Sequence, residues 1–214
     1  MFGSFVIVDD HPLYRSGISA LVQERLGLRC SGEASTIAEA RQLLAETNPK
    51  IAIIDISLQD ENGLTLVEEC KRLFPAVKVL VVSMHDENLY GERALKAGSH
   101  GYVMKHDAPE VLINAIRMIL NGQLGITENL KDRLAQRFAS GSNNNQVGSL
   151  SERELTILSL VGQGYGALEI ASALSISVKT VNTHQDHIKQ KLSLQSASEL
   201  RKFAVTWYAG QTRV

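Results

Sequence analysis

The sequence is short of cysteine, of net charge and of long apolar runs, and each shortage removes a class of protein. Its two cysteines, Cys30 and Cys70, stand far apart with no CxxC or other metal-ligand spacing. They read as thiols of a reducing compartment, not as a disulfide or a ligand pair. No stretch approaches the ~18 apolar residues of a membrane helix. The opening Met-Phe-Gly-Ser-Phe-Val-Ile-Val-Asp-Asp has no basic region and reaches acids too soon for a secretory signal. A cytoplasmic protein with no membrane partner is the expectation. There is no internal repeat. Net charge is −1, from 22 Lys+Arg and 23 Asp+Glu, so the total points to no partner.

The distribution of that charge does. At 214 residues the chain is long for one domain and comfortable for two, and a hydrophobic share of 44% is that of an ordinary globular protein. Residues 1–121 hold 12 Lys+Arg against 16 Asp+Glu. Residues 122–149 hold 3 against 2, and residues 150–214 hold 7 against 5. An acidic first part and a mildly basic last part imply two partners of different kind.

The first part alternates apolar runs with amphipathic stretches. Phe5-Val6-Ile7-Val8, Ile51-Ala52-Ile53-Ile54 and Val79-Leu80-Val81-Val82 are continuous apolar runs of strand length, the pattern of parallel strands covered on both faces. Residues 28–34 and 101–104 are weaker strands. Helical patterns fall at 12–25, 36–47, 63–74, 87–97 and 108–121. This five-fold alternation predicts an α/β doubly wound, five-stranded parallel sheet of the flavodoxin-like kind. Residues 122–149 read as a linker carrying one helix, 127–139, followed by a polar stretch, Ser140-Gly-Ser-Asn-Asn-Asn-Gln-Val-Gly148, without periodicity. Residues 150–214 carry four helical patterns, 151–163, 167–173, 177–191 and 196–208, and no strand. That is a small all-α four-helix domain.

Functional groups stand where the strands end. Asp9 and Asp10 follow the first, Asp55 the third, Ser83 the fourth and Lys105 the fifth. Ligands of open parallel sheets collect at those ends, so the five side chains should converge. Three carboxylates around one point repel unless a cation joins them, and hard oxygen donors favour Mg²⁺. A lysine and a hydroxyl beside that ion stabilise a phosphoryl group in transfer. Over residues 5–121 the chain resembles the receiver domains of two-component response regulators, through Asp9-Asp10, Asp55 with Gly63 eight residues on, Ser83, and Gly101-Tyr102-Val103-Met104-Lys105. The string Asp-Asp-His-Pro-Leu-Tyr-Arg-Ser-Gly (9–17) is similar to the NarL/FixJ branch.

The resemblance implies that Asp55 is the nucleophile taking a phosphoryl group from the phosphohistidine of a sensor histidine kinase. It implies that Asp10, Asp55 and the Ser57 backbone carbonyl bind Mg²⁺, with Asp9 holding a coordinated water. Lys105 would pair with a phosphoryl oxygen, Ser83 would hydrogen-bond another, and Tyr102 would be the aromatic that moves inward with Ser83. Two positions depart from the pattern: Gln59 replaces the usual proline, and His106 follows Lys105 where proline is common. Ser57 and His85 occupy positions that in the family tune acyl-phosphate lifetime. His85 itself reads as a solvated loop histidine.

Residues 150–207 carry a second resemblance. Ser151 caps a helix with acids in its first turn. Glu169 to Leu174 is a short apolar-periodic helix, and Ser175-Ile176-Ser177 turns the chain into a helix with Val181, Ile188 and Leu192 on one face. Two short helices joined by a tight turn describe a helix-turn-helix. The run LSERELTILSLVGQG…EIASALSISVKTVNTHQDHIKQKL resembles the LuxR-type DNA-binding domain. This implies phosphate contacts at Ser177 and Thr180, and base contacts at Asn182, Thr183 and Asp186. Lys179 and Lys189 would neutralise phosphates. The turn at 164–168 lacks the usual cap and basic residue, so affinity per monomer should be low. His184 and His187 have metal-ligand spacing, but with no cysteine or acid partner expected beside them they predict no zinc site. Leu200, Phe203, Ala204 and Trp207 share a face of the last helix. Part of that face is core, and the family dimerises there, which makes Leu200, Phe203 and Trp207 a candidate dimer surface.

The expected protein is therefore a phosphorylation-controlled, DNA-binding transcription regulator, homodimeric when phosphorylated, with promoter DNA and RNA polymerase as further partners. An enzyme is the main alternative, a Mg²⁺-dependent phosphohydrolase with Asp55 as nucleophile. Such enzymes carry a second acid where Ser57 stands. A receiver that never takes phosphate is the other alternative, and the intact set Asp9, Asp10, Asp55, Ser83 and Lys105 argues against it.

Overall fold

A computed structural model describes residues 3–58, 61–139 and 147–212. In chain order its elements are β1 (Ser4–Val8), α1 (Pro12–Leu26), β2 (Arg29–Ala34), α2 (Ile37–Thr47), β3 (Ile51–Ile54), β4 (Ser57–Leu58), β5 (Glu61–Asn62), α3 (Gly63–Leu73), β6 (Lys78–Ser83), α4 (Glu87–Ala97), β7 (Gly101–Met104), α5 (Pro109–Leu120) and α6 (Glu128–Ala139). Then follow α7 (Glu152–Gly162), α8 (Ala167–Ala173), α9 (Val178–Lys191) and α10 (Ala197–Thr212). They form two compact units, residues 1–141 and 142–214. No helix of the described residues is long and apolar enough to cross a membrane.

In the first unit the strands pair in parallel in the order β2-β1-β3-β6-β7. The apolar runs lie inside because helices cover both faces. Ile51, Ala52, Ile53 and Ile54 are all buried, and Phe5, Ile7, Leu80 and Val82 join Ile113, Ile116 and Ile119 of α5 in one core. Local signals set the helix ends. Thr36 accepts from Glu39 N–H, Asn62 from Leu64 N–H and Asp86 from Asn88 N–H, each meeting a first-turn donor that the helix leaves unpaired. The helix expected at 127–139 is α6, and it packs on α4: Leu130 lies against Gly91, whose missing Cβ would fall 2.5 Å from it. The short antiparallel hairpin β4–β5 was not expected. Most of the polar stretch 140–148, and Gln59, lie outside the described residues.

The second unit is helical throughout its described residues. Ser151 and Glu154 form a reciprocal capping box on α7. Leu150, Ile157, Leu158, Ile170, Val181, Ile188, Leu200 and Ala204 make the core. Ser175 adopts φ 53° in the turn between α8 and α9, with Ile176 N–H bonded to Ala171 C=O at 3.0 Å. Helices α7 and α10 meet at Gly162, where an added Cβ would lie 2.6 Å from Ala204 O.

Candidate functional site

The order in which successive strands are laid down reverses between β1 and β3, since β2 lies on one side of β1 and the remaining strands on the other. A crevice opens there at the carboxyl ends. Ladder bonds run past the strands and fix the residues that follow them. Asp9 N–H bonds to Ala34 C=O at 3.0 Å, Asp55 N–H to Val8 C=O at 2.8 Å, and Lys105 N–H to Ser83 C=O at 2.7 Å. Gly63 closes the site from below, because a Cβ there would lie 1.9 Å from Asp55 O. The start of α3 can press on the Asp55 backbone only without a side chain.

These constraints bring Asp9, Asp10, Asp55 and Lys105 together. Asp9 is 2% exposed and Asp55 3%. Lys105 Nζ lies 2.6 Å from Asp9 Oδ2 and 2.6 Å from Asp55 Oδ2, and 4.7 Å from the centre of the Tyr14 ring. The other Asp55 oxygen accepts from Ser57 N–H at 3.1 Å. Burial pushes Asp55 up, and its bond to Lys105 only partly offsets this. Burial works against the Lys105 charge, but the bonds to Asp55 and Asp9 prevail and raise its pKa. Two buried carboxylates, Asp9 and Asp55, thus share one lysine.

One ligand atom from each of Asp9, Asp10, His11 and Asp55 lies within 4.8 Å of the others. Hard oxygen donors in a negative, buried pocket fit Mg²⁺. His11 is the member that sequence reasoning missed: its Nδ1 lies 2.7 Å from Asp10 Oδ1 and 3.2 Å from Asp9 Oδ1. Its position directly after the acid pair was the available signal.

Ser83 is fully buried, and its Oγ accepts from His85 N–H at 3.1 Å. Tyr102 already points inward, fully buried, with its hydroxyl donating to His85 C=O at 2.7 Å. His85 lies in the loop between β6 and α4, as expected, but is not freely solvated. It is half-buried, stacks on Tyr90 at 4.4 Å between ring centres, and its Nε2 lies 3.0 Å from Ser57 Oγ. No described peptide bond is cis, including that after Lys105.

In the second unit, α9 buries Val181 and Ile188 and exposes Lys179, Thr180, Asn182, Thr183 and Asp186. Ser177 caps this helix through Thr180 N–H at 3.0 Å. The Thr183 hydroxyl bonds back to Lys179 C=O at 3.0 Å, and Lys189 Nζ pairs with Asp186 at 2.9 Å. So two residues expected to reach DNA, Asp186 and Lys189, engage each other here. The turn before α8 has no side-chain cap, as expected: its N-cap is Gly166, whose own N–H donates to Glu169 at 2.7 Å. Leu200 is a correction to the expected dimer surface. At 2% exposure it belongs to the core of its own unit, because α10 packs on α7. Phe203 and Trp207 are half-buried beside it. The expectation that no acid accompanies His184 and His187 is also corrected, since the fold brings Glu154 of α7 beside them.

Family models match both units: the response regulator receiver domain over residues 5–117, and bacterial regulatory proteins of the luxR family over residues 148–204. The oxygen regulatory protein NreC of Staphylococcus epidermidis is 36% identical over 94% of this chain and 95% of its own length. NreC of Staphylococcus aureus is 35% identical over the same shares. Among solved structures, a LuxR-family two-component response regulator from Aurantimonas is 29% identical, covering 65% of this chain and 99% of its own, with TM-score 0.59. RcsB of Salmonella enterica serovar Typhimurium, solved on promoter rprA with phosphomimetic BeF3-, is 25% identical over 96% of this chain and 99% of its own, with TM-score 0.61. The chain belongs to the response regulators of two-component systems, with a receiver domain followed by a DNA-binding domain of the LuxR family.

Proposed function

We propose that this response regulator is switched at Asp55 and reads promoter DNA through α9. The observation that carries this is the state of Asp55: buried, aligned by Ser57 N–H and Lys105, and within ligand distance of Asp9, Asp10 and His11. An Asp55 oxygen attacks the phosphohistidine phosphorus of a sensor kinase. The P–N bond breaks, and the imidazole leaves with the electron pair and takes up a proton. Asp9, Asp10 and Asp55, with the Ser57 carbonyl, would hold Mg²⁺, which neutralises charge on the transferred group. Lys105 then moves from carboxylate to phosphoryl oxygen, and Ser83 turns its hydroxyl to another. A phosphoacceptor, not a phosphohydrolase, is the reading that Ser57 supports, since no second acid stands there.

The domain division that goes with it is 1–121 for the receiver, 122–149 for the linker and 150–214 for DNA binding. Ser177, Lys179 and Thr180 would meet phosphates, while Asn182, Thr183 and Asp186 would meet bases. Asp186 is free for that only once Lys189 is drawn to a phosphate. A homodimer on promoter DNA, acting on RNA polymerase, completes the reading. The test is mass measurement after acetyl phosphate and Mg²⁺. Wild type should gain one phosphoryl group and lose the gain on chelation, and Asp55→Asn should gain none. Labelling that survives Asp55→Asn would overturn the assignment.

A further inference from the structure

Glu154 is used by the helical fold through one oxygen. Its Oε2 accepts from Ser151 N–H and from Lys191 Nζ, both at 2.7 Å. Its Oε1 faces His187 Nδ1 at 3.9 Å, beyond hydrogen-bond reach. One turn back on α9, His184 Nδ1 is buried and has no hydrogen-bond partner among the described residues. A buried nitrogen left unpaired is costly, and native folds rarely keep one without a reason. One ligand atom from each of Glu154, His184 and His187 lies within 4.8 Å of the other two.

We infer that Glu154, His184 and His187 form a binding site for a divalent cation of the Zn²⁺ or Co²⁺ kind, which clamps α9 to α7. Two imidazoles and one carboxylate are the three-ligand set of open zinc sites, with water in the remaining position. Imidazole nitrogen selects these ions over Mg²⁺, so this site and the carboxylate pocket take different metals. Around such an ion, ligand atoms at about 2.0–2.1 Å stand roughly 3.3 Å apart. The present separations must therefore shorten. His187, at 53% side-chain exposure, has the room to swing in. Lys191 stays on Oε2 and orients the carboxylate from outside the ligand set.

The stripe of α9 that carries His184 and His187 lies between its buried face, Val181 and Ile188, and its exposed face, Asn182, Thr183 and Asp186. A cation there fixes the rotation of the recognition helix on its own domain.

The test uses the full chain, stripped of metal and held in excess Mg²⁺ so that the carboxylate pocket is filled. Co²⁺ is titrated and followed by its visible absorption, then displaced with Zn²⁺. One Co²⁺ per chain should bind with the intense bands of a four- or five-coordinate site. His187→Gln, whose exposed position leaves the fold intact by circular dichroism, should weaken binding at least about tenfold. Asp10→Asn should leave it unchanged. Three outcomes overturn the inference: no Co²⁺ bound in excess Mg²⁺, binding that His187→Gln does not weaken, or binding that Asp10→Asn abolishes.

Discussion

At the scale of single residues, Gly63 shows how steric and electrostatic demands meet in the pocket. An alanine Cβ would lie 1.9 Å from Asp55 O and 2.9 Å from Ile56 Cα, so backbone must move. Gly63→Ala should cost about 2–3 kcal/mol in chemical denaturation and slow phosphorylation from acetyl phosphate, since Asp55 shifts with its carbonyl. Gly162→Ala, 2.6 Å from Ala204 O, is the matched control. It should destabilise the helical unit and leave the phosphorylation rate unchanged; equal slowing in both variants would mean that general destabilisation is responsible. Glu87 supplies a pH dependence. It is 6% exposed, burial raises its pKa, and Thr127 Oγ1 donates to its carboxylate at 2.8 Å. A raised acid favours the fold in its neutral form, so its contribution is present below the ordinary value of 4.5 and lost as pH rises through the folded value. Glu87→Gln stays neutral, and should therefore gain stability relative to wild type between acid and neutral pH in denaturant midpoints. Asp9, Asp10, Asp55, Ser83 and Lys105 were legible in sequence because each ends an apolar strand or follows one within two residues. The Ser57–His85–Tyr90 cluster was not, since it depends on how two loops fold over each other.

Element by element, long periodic segments read well and short or polar ones did not. The strand runs and most helix ends lie within a residue or two of expectation, because caps such as Ser151 are visible in sequence. Hairpin β4–β5 has two-residue strands, too short for any period to show. Helix α10 runs to Thr212, past the last apolar residue of its stripe at Trp207, so periodicity could not mark its end. The docking of α6 on α4 escaped notice because that helix is mostly polar, its buried anchor being Leu130. For α9, burial of Val181 and Ile188 leaves the proposed DNA-contact residues Lys179, Asn182 and Thr183 on the exposed side. Asn182 and Lys179 should behave differently there. Asn182→Ala removes a potential bidentate contact to adenine and should cost about 1–3 kcal/mol at one operator position. Lys179→Ala should weaken all sequences alike and reduce the salt slope by about one unit. Binding isotherms on matched and mismatched operators at several salt concentrations separate the two. Loss of sequence preference in Lys179→Ala would sink the assignment.

For the whole molecule, charge division and weak single-domain binding lead to one expectation. Residues 1–121 carry a net acidic excess of four, and residues 150–214 a basic excess of two. This charge division predicts that a truncated chain of residues 149–214 binds promoter DNA more tightly than the unphosphorylated full chain at fixed salt. Equal affinities would leave dimerisation as the sole means of control. The proposed dimer would offset weak single-domain binding, since one domain offers seven Lys+Arg against five Asp+Glu. With Asp186 among its exposed residues, a single α9 would gain little from the phosphate backbone. Two such helices held by a phosphorylated receiver pair gain from high effective concentration. Half-sites should lie about one helical turn apart, so that both helices meet the same side of the duplex. Phe203 and Trp207, half-buried on α10, remain as the part of the expected contact surface that the core does not consume. Trp207→Ala should then lower affinity for the paired site more than for an isolated half-site. Footprinting and sedimentation of the phosphorylated protein on operator DNA test the scheme together: two chains per operator with two protected half-sites are expected. One chain protecting one half-site at full affinity would refute it.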